Sequence, residues 1–461
     1  RLMATILLLR CGRLDTVHDR VDELAGMLGI PGRKMHRNLL IAWARRIRRA
    51  FWMETKSVFE SLRSLVTRRA KAKPLRSLNS SHHNPATVKS RKLDRQCQHV
   101  CNTLIYPMIF FDHVYAYELS ATSSRLARKC GSRVEEIDAF IVEAALDCRE
   151  FGSVRQEAEG KLELVRVEVE QLESQKVMAQ WWAGIAYSHA FSCRWFLALH
   201  PAQTSCRMFQ HLAGASGFEV AHMLWIEVWS RWFLGNWAEL FEKTANASDD
   251  ALRRSDFFQL ALMAGGFGRG AWLGRHRTGD AAELQKRYQE FTLNSGPSSP
   301  FAVLDVVARI QECIYEKNFL DGWKIYQRLD SGLLGVSGGG VQLVRIAALT
   351  VGTLVALHQH AQTQDGLWIK RIRSMIRALR RERIPFALML ADFYEGLMLL
   401  HDVERRDVEI ADGECIRIFQ RARAQAEQQK LVPYVLAAED ALVVLERRQA
   451  SGLLRERMLR G

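Results

Sequence analysis

Apolar residues recur at steps of three and four through most of the chain. Val344, Ala347, Val351 and Leu354 form one such row; Trp225, Trp229 and Trp232 form another. Ile369, Ile372, Ile376 and Leu379 form a third, and Val17, Val21, Leu24 and Leu28 a fourth. That period places each set on one side of an α-helix. Strand signals are almost absent, with no Asn-Gly hairpin and no sustained alternation. The pattern predicts helices over Met223–Leu234, Trp237–Lys243, Phe257–Arg277, Ala281–Phe291, Val303–Glu316 and Phe319–Leu329. Further helices are predicted over Val341–His360, Gly366–Arg383, Pro385–His401, Cys415–Gln429 and Pro433–Gln449. Trp181–Leu199 reads as one buried helix that breaks before Pro201, and Leu104–Leu119 as a helix with Pro107 near its start.

Two junctions in this pattern repeat each other. Gly235-Asn236-Trp237-Ala238-Glu239-Leu240 and Gly279-Asp280-Ala281-Ala282-Glu283-Leu284 share Gly-(Asn/Asp)-x-Ala-Glu-Leu, 44 residues apart. Glycine suits the left-handed residue that closes a helix. Asn or Asp suits the cap of the next helix, and Glu its positive first turn. Each hexad therefore reads as the turn of a two-helix hairpin, and Lys317-Asn318 as a third turn without the glycine. Two-helix units recurring every few tens of residues predict an all-α fold, an α-solenoid of antiparallel helix pairs. The expected organisation is a helical hairpin over 1–30, a basic helix and flexible linker over 31–95, and a helical repeat array over 96–294. A helix pair over 301–336 and a C-terminal helical array over 341–461 follow, set off by Ser295–Pro300 and by Ser337-Gly338-Gly339-Gly340.

Charge changes the picture in one place. Residues 31–95 hold eighteen Lys or Arg against Glu54, Glu60 and Asp94, an excess as large as the +14 of the whole 461-residue chain. The remainder is close to neutral. Arg45, Arg46, Arg48 and Arg49 sit beside the apolar row Leu40, Trp43, Ile47 and Phe51, and Lys71–Ser90 carries Pro74, Pro85 and His82-His83 in a loop-like stretch. A solvated helix face followed by a tether explains the segment; contact with nucleic acid or an anionic membrane is the functional alternative. Trp368–Arg383 is the other basic element: the solvated face of an outer solenoid helix explains it, and contact with an acidic peptide or an anionic lipid surface through Arg373, Arg377, Arg380 and Arg381 is the functional alternative. No apolar run reaches the roughly 18–20 residues of a membrane span. Nine cysteines scattered without a framework predict reduced thiols and a cytoplasmic chain. Because the chain opens on Arg1, a fragment of a longer protein is expected.

Candidate chemistry is sparse. Gly266-Phe267-Gly268-Arg269-Gly270-Ala271 has the spacing of a phosphate loop, but it follows a helical pattern where a dinucleotide site needs a strand. Cys97 and Cys101 share a helix face with His99 turned away, which fits core thiols better than a zinc site lacking its second ligand pair. No catalytic triad, metal site or cofactor site is expected, and the Trp225, Trp229 and Trp232 row reads as packing.

Leu234-Gly235-Asn236-Trp237 resembles the turn of tetratricopeptide-type repeats. The order of features, from Leu8–Asp15 through Trp229–Leu240 and Val341–Leu349 to the closing array, is similar to the C-terminal helical region of large bacterial eukaryotic-like Ser/Thr protein kinases. That resemblance implies a sensory or scaffolding region that holds protein partners. It places no catalytic residue here: the chain has no Gly-rich ATP loop before a Val-Ala-x-Lys strand, no His-Arg-Asp loop and no Asp-Phe-Gly. His36-Arg37-Asn38-Leu39 has Asn where the base belongs. The expected role is protein–protein interaction, with nucleic-acid binding by residues 31–95 as the alternative.

Overall fold

A computed structural model describes residues 2–11, 14–27, 85–150, 152–212, 217–294, 299–332, 341–402 and 408–460. Among these every regular element is an α-helix and there is no strand, the all-α solenoid of adjacent helix pairs that the periodicity predicts. No described helix is long and apolar enough to cross a membrane. Arg45, Arg46, Arg48 and Arg49, most of the basic segment, and the Ser337–Gly340 link lie outside the described residues.

The chain divides into two compact units, with the main boundary between Val177 and Met178. The first unit comprises 1–6 and 15–177. It contains most of α2 (Leu14–Met27), which follows α1 (Leu2–Arg10), and α3 (Pro85–Phe111), α4 (His113–Cys130), α5 (Arg133–Asp147), α6 (Ser153–Leu164) and α7 (Arg166–Gln171). Each of α3 to α6 packs on the next. Two expectations are corrected here. Residues 85–90 are helical rather than loop, and Pro107 lies near the end of α3 instead of its first turn, because the helix stops at Asp112. The Asp112 carboxylate accepts from the Tyr115 N–H at 3.1 Å and so starts α4. A polar knot ties the unit: the buried Asn102 amide donates to Asp138 at 2.8 Å, Ser123 donates to Asn102 at 2.6 Å, and the half-exposed Lys176 donates to Asp138 at 2.8 Å.

The second unit comprises 7–14 and 178–461. After α8 (Gln175–Phe191) and α9 (Trp195–His211) come α10 (Phe218–Leu234) and α11 (Trp237–Arg253). The next pair is the broken helix α12 (Phe257–Ala264) and α13 (Gly268–Leu273), followed by α14 (Thr278–Asn294). Then come α15 (Pro300–Tyr315) with α16 (Phe319–Gly332), α17 (Gln342–Thr363) with α18 (Gly366–Arg381), α19 (Pro385–Asp402) with α20 (Val408–Gln428), and α21 (Val432–Arg460). First helices stack on first helices, α10 on α12, α12 on α15, α15 on α17 and α17 on α19, while each second helix also meets the first helix of the following pair. This is the contact order of a solenoid. Several contacts among the described residues depart from chain order: α21 returns to α10, Phe386 of α19 packs edge-on against Phe233 and Trp195 at 5.0 and 6.0 Å, and the Arg10 guanidinium donates to the Asp256 carboxylate at 2.8 Å.

The repeat is written in the turns. Cys193, Gly235, His276 and Lys317 all have left-handed backbone, φ 54, 82, 58 and 59°, at intervals of 42, 41 and 41 residues. In each case the N–H one residue later donates five residues back: Arg194 to His189, Asn236 to Arg231, Arg277 to Trp272 and Asn318 to Cys313, at 2.8–3.0 Å. That is the Schellman closure, which satisfies the last carbonyls of one helix while reversing the chain. Gly235 behaves as expected. Gly279 does not: it lies inside α14, and the left-handed residue of that turn is His276. Asn236 occupies the cap position without a side-chain cap bond. Trp181–Leu199 is likewise two helices, turned at Cys193, with Pro201 inside α9.

Candidate functional site

Helix α18 carries the basic face singled out above. Asp365 starts it, its carboxylate accepting from the Leu367 N–H at 2.9 Å. Trp368, Ile372, Met375, Ile376 and Leu379 are buried, which fixes the helix azimuth against its neighbours. The opposite side then presents Lys370, Arg373, Arg377 and Arg381, all exposed, at i, i+3, i+7 and i+11. Among the described residues none of these four has a carboxylate partner, and the sixteen-residue helix contains no acid. At about 1.5 Å of rise per residue the stripe is about 16 Å long.

The flanking cations are engaged elsewhere. The Arg371 guanidinium lies over the Trp368 and Trp323 rings, 4.6 and 4.8 Å from their centroids. Arg380, grouped with the stripe on sequence grounds, is tied to Glu395 and, at 3.2 Å, to Asp392, both on α19. Hydrogen bonding to Glu395 raises its pKa above the ordinary arginine value. Arg421 of α20 donates to the same Asp392 at 2.6 and 2.9 Å. Asp392 and Glu395 thus absorb Arg380 and Arg421 and leave the stripe uncompensated.

The glycine cluster is a packing device. Gly266 (φ +53°) donates its N–H to the Leu304 carbonyl at 2.8 Å, and Gly268 and Gly270 donate to Gly265 and Phe267. Amides already bonded to carbonyls are not aimed at a phosphate. A Cβ on Gly270 would stand 2.2 Å from the Trp232 ring, so the backbone runs directly beneath that indole. Arg269, fully buried, reaches instead to the Ala281 carbonyl, to Tyr288 Oη at 3.1 Å and to Glu312 at 3.0 Å. It joins α13 to both α14 and α15.

Trp225 and Trp229 are core residues, 5.2 Å apart, and Trp229 meets Phe267 edge-on at 5.0 Å. Cys97 and Cys101 are buried on α3, where desolvation pushes the Cys101 thiol up to about 12. A thiol held protonated is a core group rather than a nucleophile. Among the described residues no cluster of three metal-ligating side chains occurs.

Two features escaped the sequence. One is the buried carboxylate Glu227, bonded to Arg231 at 2.9 Å, Lys243 at 3.2 Å and Gln203 at 3.1 Å. The Glu-Arg spacing of four on a largely apolar helix was the available signal. The other is a cavity of about 660 Å³ in the second unit, walled by α10, α11, α13, α15, α17 and α21. Trp232, Leu240, Phe267, Ile314, Val351 and Leu354 make it mainly apolar, and among the described residues no acid lines it. Its walls come from residues spread between 232 and 434, so no local pattern announces it.

No protein-family model matches the chain, and neither a curated protein nor a solved structure matches it.

Proposed function

We propose that the chain is a protein-interaction array whose contact surface is the Lys370, Arg373, Arg377 and Arg381 stripe, and that the segment it holds is acidic. The observation that carries this is the uncompensated row itself. Four exposed cations lie on a buried-backed helix, while the neighbouring Arg371 and Arg380 are already occupied. Aligned like charges on a rigid helix repel one another, and an acidic segment relieves that repulsion as it binds. Following the kinase resemblance, the array serves as the scaffolding or sensory region of a bacterial signalling Ser/Thr kinase, recruiting partners rather than transferring phosphate.

The test is fluorescence anisotropy with a fluorescein-labelled oligo-glutamate peptide. The full chain should bind it with an affinity that falls steeply with salt. The triple reversal Arg373→Glu, Arg377→Glu, Arg381→Glu should weaken binding at least about ten-fold, since like-charge juxtaposition costs several kcal/mol. Equal affinity of wild type and reversal, or preferential capture of a labelled DNA duplex that the reversal leaves unchanged, would overturn the proposal.

A further inference from the structure

The cavity walled by α10, α11, α13, α15, α17 and α21 has the features of a ligand chamber. Its volume, about 660 Å³, falls within the roughly 300–1,000 Å³ of small-molecule sites. Leu240, Phe267, Val351 and Thr350 are buried and form the inner part, whereas Trp237 and Tyr315 are exposed by 53% and 39% and form a mouth. The absence of a side chain at Gly270 lets the Trp232 indole lie flat as one wall.

Among the described residues a single charged one lines this space: Arg275, which is exposed and so belongs to the mouth. Its guanidinium carbon stands 5.2 Å from the centre of the Phe241 ring, and among the described residues it has no carboxylate partner. Two residues on, Arg277 is paired with Asp280, so the locality does provide an acid, but not for Arg275. A chamber lined among the described residues by no acid, with one cation at its opening that stacks on Phe241 but has no carboxylate partner, complements a molecule with an apolar body and one negative group. Apolar burial supplies the attraction and the guanidinium fixes the orientation.

We infer that this cavity binds an amphipathic monocarboxylate, with its apolar body inside and its carboxylate at Arg275. The inference stands on different residues from the cation stripe and does not depend on it.

Isothermal titration of the full chain with 2-naphthoate, decanoate and the uncharged 2-naphthamide tests it. At least one carboxylate should bind, and which one binds tells an aromatic body from an aliphatic one. Arg275→Gln should weaken that carboxylate about five-fold, the upper end for an exposed ion pair, and leave 2-naphthamide unchanged. Val351→Phe, which fills the chamber from α17, should abolish binding, with far-UV circular dichroism and thermal melting verifying that the fold persists. Should Val351→Phe unfold the chain, Leu354→Phe on the same wall takes its place. Failure of both carboxylates to bind overturns the inference. So does binding that is indifferent to Arg275→Gln, or that survives in a folded, filled variant.

Discussion

Replacing Arg269 with Met should loosen the array at one interface. The residue is wholly buried and its guanidinium serves the Ala281 carbonyl, the Tyr288 hydroxyl, Gln285 and Glu312. Met keeps the length and apolar stem but supplies no donor. Removing one partner of a buried ion pair costs about 3–5 kcal/mol, because the other polar groups stay buried without compensation. The lower part of that range applies here. Glu312 is about a quarter exposed, and burial already raises its pKa, an effect that Arg269 opposes. Without Arg269 the carboxyl takes up a proton more readily and part of the penalty disappears. A loss near 3 kcal/mol corresponds to a fall in melting temperature of roughly 5 °C for a body of this size. Guanidinium denaturation at pH 7.5 measures the loss, and hydrogen exchange locates it: α12 to α15 should lose protection first, since each pair rests on its neighbours. Adding Glu312→Gln should recover about 1 kcal/mol by removing the stranded charge. A loss below about 1 kcal/mol, or no recovery in the double variant, would refute the assignment of Arg269 as the tie between successive pairs.

Gly235→Val should destabilise the second unit by about 1–2 kcal/mol in denaturant titration, since a β-branched residue resists the left-handed conformation and its Cβ would meet Pro433 at 3.1 Å. Gly352→Ala should cost about 1–3 kcal/mol by overpacking, because the new Cβ would stand 2.3 Å from the Tyr326 ring. His189 provides a pH test. Burial, helped by Arg194, lowers its pKa to about 4, against about 6.5 in the unfolded chain. The neutral folded form therefore contributes its full stability above pH 6.5 and loses it as pH falls towards 4. Melting temperatures recorded from pH 7 to pH 5 should fall for wild type and fall less for His189→Gln; parallel curves would contradict this.

The fold was legible in the chain because helix periodicity and tight turns are local. Turn chemistry was legible only in part. Gly235 advertised the left-handed residue, but Cys193, His276 and Lys317 perform the same task with side chains that carry no such signal. Tertiary packing overrides their reluctance to adopt that conformation. Gly279 matched the motif and served only as a helix residue, and the Gly266–Ala271 spacing imitated a phosphate loop while serving close contact with Trp232. The basic face of α18 followed from its period. That Arg380 does not belong to it depends on Asp392 and Glu395 one helix further on, a contact that the local pattern does not encode.

Hydrogen-exchange mass spectrometry of the full chain, with and without the oligo-glutamate peptide, tests the central claim most directly. Binding at the stripe predicts slowed exchange confined to residues 366–383 and their immediate neighbours, with the first unit unchanged. Slowing that bypasses α18, or that falls mainly on the first unit, would contradict it.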